Sequence, residues 1–170
     1  MDLREYIRDI PDFPKPGIVF KDISPLLATP HALQYAIRGL AERFRETGAT
    51  KILGAEARGF IFGAALACEM NVGFIPVRKP GKLPHKTLSI TYELEYGTDT
   101  LCIHEDAVEA GETVIVIDDV LATGGTISGI LQLLDKVDAD IAGLGFLMEL
   151  GFLKGRDKLQ GHRTESLLVY

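Results

Sequence analysis

Two adjacent carboxylates, followed at once by a glycine-rich and hydroxyl-bearing loop, stand in the segment VIVIDDVLATGGT, Val114 to Thr126. Val114 to Ile117 read as a strand covered on both faces. It delivers Asp118 and Asp119 to its carboxyl end, the edge at which open α/β sheets bind ligands. Ala122-Thr123-Gly124-Gly125-Thr126 then leads into a helix. Small side chains let the backbone close on an anion, and Gly124 and Gly125 tolerate positive φ and expose N–H groups. The helix N-terminus adds positive partial charge, and Thr123 and Thr126 add hydroxyl donors. Both acids would repel a phosphate if they served it. They are better acceptors for two neighbouring hydroxyls, such as the 2′ and 3′ hydroxyls of a ribose. An acid pair could also hold Mg²⁺ for phosphotransfer, as in a receiver domain, and a glycine pair before a helix could be only a tight turn. The combination of both features points to a sugar phosphate. GxxxxGK[ST] is absent, which argues against a P-loop.

Three other stretches carry candidate chemistry. Glu56-Ala57-Arg58-Gly59-Phe60 lies between a strand and a helix, where Arg58 could fork onto phosphate oxygens and Gly59 would admit backbone N–H groups to them. Alternatively, Arg58 is a surface arginine at a helix start. Arg78, Lys79, Lys82, His85 and Lys86 form the densest basic cluster, and Pro80, Gly81 and Pro84 make it a loop rather than a solvated helix face. A cationic loop suits closure over a polyanion, with Lys79 and Lys82 the strongest candidates. Val19, Phe20 and Lys21 could border a slot for a flat base, although Phe13 and Phe20 could equally be core residues. Leu121 could cover the other face of such a base. His31, His104 and His162 read as structural or solvated, and no grouping resembles a zinc site.

The elements that must position these residues alternate between strand and helix. Pro11, Pro14, Pro16, Gly17 and Pro25 break the first 28 residues into turns. Thr29-Pro30 opens a helix with Leu33, Ile37, Leu40 and Phe44 on one stripe, closed by Gly48. Lys51 to Ala55 is a strand, Phe60 to Met70 an apolar helix, and Phe74 to Lys79 a strand. Alternation over Leu88 to Leu94 and Leu101 to Ile103, around Tyr96 to Asp99, indicates an antiparallel hairpin or flap. Thr113 to Ile117, a helix carrying Ile127, Ile130, Leu131, Leu134 and Val137, and strands at Ile141 to Met148 and Leu167 to Tyr170 complete the pattern. The fold class is α/β, with parallel βαβ units and right-handed crossovers.

A length of 170 residues suits one domain, and 46% hydrophobic with 25% charged residues is ordinary for a globular chain. The formal net charge of −6 argues against nucleic acid as the main partner. No apolar run approaches the ~20 residues needed to cross a membrane, and the first residues lack a secretory h-region. Cys68 and Cys102 show no metal spacing and read as idle thiols in a reducing compartment. A cytoplasmic chain is expected.

VIVIDDVLATGGT resembles the phosphoribosyl pyrophosphate (PRPP) motif of the type I phosphoribosyltransferases. Further stretches narrow the resemblance to the adenine phosphoribosyltransferase family. Pro11 to Leu27 is similar to its N-terminal hood, and EARGFIFG (Glu56 to Gly63) to its pyrophosphate loop. Val77 to Thr87 and Tyr92 to Leu101 are similar to its mobile catalytic loop. The resemblance implies a single domain over 1–170, with a hood over 1–28, a mobile loop or β-flap over 78–104, and a mostly parallel central sheet flanked by helices. It implies that adenine and PRPP give AMP and pyrophosphate in purine salvage, with Mg²⁺ held mainly by PRPP rather than by the protein. Asp118 and Asp119 would hold the ribose hydroxyls, Ala122 to Thr126 the 5-phosphate, and Arg58, Lys79 and Lys82 the pyrophosphate. Glu95 would handle the proton at the purine and Tyr96 loop closure, with Arg58 completing the catalytic set. Glu93 and Glu105 compete for the role of Glu95. A homodimer is implied, in which some loop cations would serve the neighbouring subunit. Val120, where many members carry leucine, is a conservative departure. The rival readings are a transferase for another purine base and a PRPP-sensing regulator without catalysis. For a regulator's DNA-binding module the chain leaves little room.

Overall fold

The computed structural model describes residues 1–93 and 97–170. Strands β3 (Lys51–Ala55), β4 (Gly73–Val77), β7 (Thr113–Leu121), β8 (Asp140–Glu149) and β9 (Thr164–Val169) form one parallel sheet in the order β4-β3-β7-β8-β9. The chain runs from β3 outward to β4 on one side and returns to β7 on the other. The order therefore reverses between β3 and β7, and the crevice beyond their carboxyl ends is where such sheets bind ligands.

Both faces of the sheet are covered, which explains why its strands are apolar at successive positions rather than alternately. Ile52, Ile115 and Ile117 pack with helices α2 (Pro30–Phe44) and α3 (Gly59–Met70). Leu53, Val114 and Val116 pack on the opposite face with helix α4 (Gly125–Asp135) and with the antiparallel hairpin of β5 (Thr87–Glu93) and β6 (Thr98–His104). Phe44, Leu53, Ile115 and Ile117 are fully buried.

The expected elements from residue 30 onward are present, with one difference that matters for the site. β7 continues four residues past its apolar stretch, pairing as far as Leu121 with Glu149. The first 28 residues are more ordered than their prolines suggest. A short antiparallel hairpin joins β1 (Arg8–Pro11) to β2 (Val19–Asp22), and a five-residue helix α1 (Ser24–Ala28) follows. Prolines bar a long helix but not a two-stranded hairpin, in which Pro11 ends a strand.

An ion pair fixes where β3 and β7 begin. Glu112 accepts from Lys51 Nζ at 2.7 Å and from Thr50 Oγ1 at 2.6 Å. These bonds hold its carboxyl down at about 2. Since the folded value lies below the unfolded one, the stabilisation is complete above the ordinary carboxylate range and is lost as pH falls toward 2. Glu112→Gln should cost on the order of 1 kcal/mol near neutrality. Urea melts of both proteins should show that difference shrinking below about pH 4.5; a difference that stays constant down to acid pH would contradict the assignment.

Candidate functional site

The carboxyl edge of β3 and β7 opens onto a cavity of about 510 Å³. Its floor is Asp118, Asp119 and Val120 from the end of β7, with Ala122 and Thr126 beyond. Glu56, Ala57 and Arg58 from the β3–α3 loop form one wall, Ile18 to Lys21 of the hairpin another, and Leu150 a third. A smaller cavity of about 70 Å³ adjoins it, lined by Asp118 and by Val120 to Ile127. Asp118 thus borders both spaces, and Asp119 the larger one alone. Gly124 caps α4 with φ +78°, and α4 starts at Gly125, so its first turn, whose N–H groups have no partner within the helix, lines the smaller space.

Asp119 is 4% exposed, and Arg58 Nε lies 2.8 Å from its Oδ2. That oxygen nevertheless has no hydrogen-bond partner among the described residues; the guanidinium supplies charge without alignment. The Asp118 carboxylate accepts from the Asp119 N–H at 2.9 Å. Burial, and then the neighbouring Asp119 charge, push the Asp118 carboxyl well above the usual range. Burial also raises Asp119, against the attraction of Arg58. Gly59 makes this packing possible, since a Cβ there would stand 2.8 Å from Asp118 Oδ1.

The hairpin wall is apolar and open. Val19 and Phe13 are each half exposed, and Phe13 meets Phe20 edge-on with centroids 5.2 Å apart. The Arg58 guanidinium lies 5.2 Å from the centre of the Phe20 ring, linking this wall to the β3–α3 loop. Lys21 turns its ammonium away from the acid pair, to Asp9 at 2.7 Å and over the Tyr170 ring at 4.2 Å.

Leu121 requires a correction. It is 1% exposed, packs in the second core cluster and borders the smaller cavity, not the larger one where a base was expected. The cause is the length of β7, which carries Leu121 into the sheet. Val120 and Leu150 line the cavity instead. Leu150 is held there by its N–H bond to the Leu121 carbonyl at 2.9 Å. Being one residue past β8, it could have been suspected from the rule that strand ends carry ligands. The basic loop is attached to the site without lining either cavity. The Lys79 N–H donates to Glu56 Oε2 at 2.9 Å, while its ammonium contacts Asp99 on β6. The Lys82 N–H donates to the Lys79 carbonyl at 3.3 Å. Asp99 had no signal in the sequence. Glu95 and Tyr96 lie outside the described residues. Of their competitors, Glu93 ends β5 exposed, and Glu105 lies 3.8 Å from Lys86.

The whole chain compares closely with known proteins. Residues 23–163 match the model of the phosphoribosyl transferase domain, which fixes the class. A protein of Solidesulfovibrio magneticus named adenine phosphoribosyltransferase is 61% identical over 99% of this chain and 98% of its own. The crystal structure of adenine phosphoribosyltransferase from Thermoanaerobacter pseudethanolicus superposes with a TM-score of 0.95 at 51% identity, covering 99% of this chain and 98% of that one. The Saccharomyces cerevisiae enzyme, complexed with an imino-altritol bisphosphate and adenine, gives 0.91 at 41% identity over 98% and 96%. The chain belongs to the adenine phosphoribosyltransferase family.

The raised acid pair makes a prediction about stability. The folded chain holds protons on these carboxyls at pH values where the unfolded chain has lost them. Stability therefore falls as pH rises from the ordinary carboxylate range through the raised values. Asp118→Asn keeps an oxygen to accept from the Asp119 N–H but removes the repulsion. It should raise ligand-free stability at neutral pH by on the order of 1 kcal/mol, about 2–4 °C in Tm; a lower Tm would contradict the strain.

Proposed function

We propose that the chain transfers the 5-phosphoribosyl group of PRPP to adenine, giving AMP and pyrophosphate in purine salvage. The observation that carries this reading is Asp119 Oδ2, a buried acceptor beside Arg58 with no hydrogen bond among the described residues. Ribose hydroxyls are donors of the right kind for it, with Asp118 as second acceptor. Ala122 to Thr126 cradle the 5-phosphate. Adenine enters between the hairpin and Val120 and Leu150. Among the described residues β2 pairs with β1 alone, which leaves backbone groups near Val19, Phe20 and Lys21 to read the adenine edge, where N1 accepts and the 6-amino group donates.

Purine N9 attacks the anomeric carbon as the bond to pyrophosphate breaks, through a ribosyl cation-like transition state. The protein's share is to hold the two in line, exclude water and balance the charge on the leaving group. Arg58 stands at the cavity for that last task. Lys79 and Lys82 reach it by movement of the basic loop, and Glu95 serves the proton at the purine, with Tyr96 closing the loop. No group of three or more ligating side chains that could hold a metal occurs among the described residues. The hard carboxylate oxygens of the acid pair suit the neighbourhood of an ion that would be held mainly by PRPP oxygens and water. Such a Mg²⁺ would supply charge neutralisation at the diphosphate. No helix among the described residues is long and apolar enough to cross a membrane. We place the chain in the cytoplasm as a homodimer, as its family membership suggests.

Incubation with PRPP, Mg²⁺ and adenine, hypoxanthine, guanine or xanthine in turn should yield nucleotide from adenine alone. PRPP binding without turnover of any base would favour the sensing regulator, and turnover of another base would move the specificity. Glu95→Gln should lower kcat by roughly 10²-fold or more. The KM for PRPP should stay within about two-fold; a change confined to KM would remove Glu95 from the chemistry.

A further inference from the structure

The 5-phosphate cradle is made of small residues, and its outer side is occupied by a segment that lines neither cavity of the site. After β8, Gly155 to Leu159 form a single 3-10 turn anchored inward by Leu159, which is 2% exposed in the core beneath α4. Gly155 is buried with its backbone against the cradle. A Cβ at Gly155 would overlap the Ala122 carbonyl oxygen and would come within 3.0 Å of Leu121 Cδ1. Conversely, a Cβ at Gly124 would stand 2.6 Å from the Gly155 carbonyl oxygen. The two segments therefore interlock backbone to backbone: a side chain at Gly124 would have to move Gly155, and one at Gly155 would have to move Ala122.

One ion pair, buried on its carboxylate side, fixes the distance. Glu149, the last residue of β8, is 6% exposed. Its two carboxylate oxygens each accept from Arg156 Nε at 2.8 Å, and Oε2 also takes Arg156 Nη2 at 2.8 Å and Ser166 Oγ at 2.9 Å. Arg156 Nη1 donates to the Thr164 carbonyl at 2.8 Å. Arg156 follows Gly155 directly, so its planar fork ties the interlocking glycine to β8 and β9, a geometry lysine cannot reproduce. None of these residues lines the cavities of the site.

We infer that Gly155, held by the Glu149–Arg156 fork, is a positioning residue that sets the shape of the 5-phosphate cradle from behind. This rests on the reading of Ala122 to Thr126 as that cradle. A displacement of about 1 Å at a ligand-holding backbone costs on the order of 10²-fold in function. Gly155→Ala should then weaken ribose 5-phosphate binding by roughly ten-fold to a hundred-fold. Binding of pyrophosphate with Mg²⁺, which uses the opposite wall, should be unchanged. Arg156→Lys, which keeps the charge and loses the fork, should show the same selective loss at smaller size and remains measurable if Gly155→Ala folds poorly.

The experiment is calorimetric titration of each protein with ribose 5-phosphate and, separately, with Mg²⁺-pyrophosphate. Loss for the first ligand alone supports the buttress. Wild-type affinity for ribose 5-phosphate in both variants overturns it, as does an equal loss for both ligands, which marks general loosening. Thr123→Val distinguishes the two levels. Weakened ribose 5-phosphate binding there with none in Gly155→Ala or Arg156→Lys leaves the cradle standing and removes the buttress. Unchanged binding in Thr123→Val removes the cradle reading itself.

Discussion

Asp118 and Asp119 repel one another at the end of a buried strand, and the surroundings keep both there rather than relieving them. Arg58 lends Asp119 a positive charge at 2.8 Å without completing a hydrogen bond to Oδ2. The Asp119 N–H steadies Asp118 from within the pair. An apolar replacement would pack more cheaply, since unpaired buried acceptors cost free energy. On the proposed reading, ribose hydroxyls supply the missing donors, and the stability forgone in the free protein reappears as binding.

The fold makes this economical by bringing the other needs of the reaction to the same edge. The reversal of strand order between β3 and β7 opens the crevice, and the loops after these two strands carry Arg58 and the glycine-rich turn of Ala122 to Thr126 into it. Gly59 lets the start of α3 press against Asp118, and Gly124 and Gly155 do the same for the two loops that meet beside Ala122. The hairpin of β1 and β2 brings an open apolar wall, which a flat base can enter and leave. The basic loop is tied at its root by the Lys79 N–H to Glu56, while the Lys79 ammonium is occupied by Asp99. Its cations must exchange partners to reach a diphosphate.

Much of this was legible in the sequence because the signals are local. A continuous apolar run ending in two acids and a glycine loop specifies a buried parallel strand, the turn at its carboxyl end and the helix that follows within a few residues. The helical stripe of α2 and the alternation of β5 and β6 are equally local. What escaped depends on distance. Pairing of β7 with β8 carries Leu121 into the sheet, whereas polar Asp118 and Asp119 made the strand seem to end at Ile117. Leu150 reaches the cavity only because β8 lies beside β7. The hairpin of β1 and β2 hides among prolines, and Gly155 and Asp99 acquire meaning only from what the folded chain sets against them.

The central claim is that Asp119 waits for a ribose hydroxyl, and 2-deoxyribose 5-phosphate tests it most directly. Wild-type protein should bind it about ten-fold or more weakly than ribose 5-phosphate, the worth of a hydrogen bond to a charged acceptor, and Asp119→Asn should erase most of that preference. Equal affinity for the two sugars in the wild-type protein would contradict the claim.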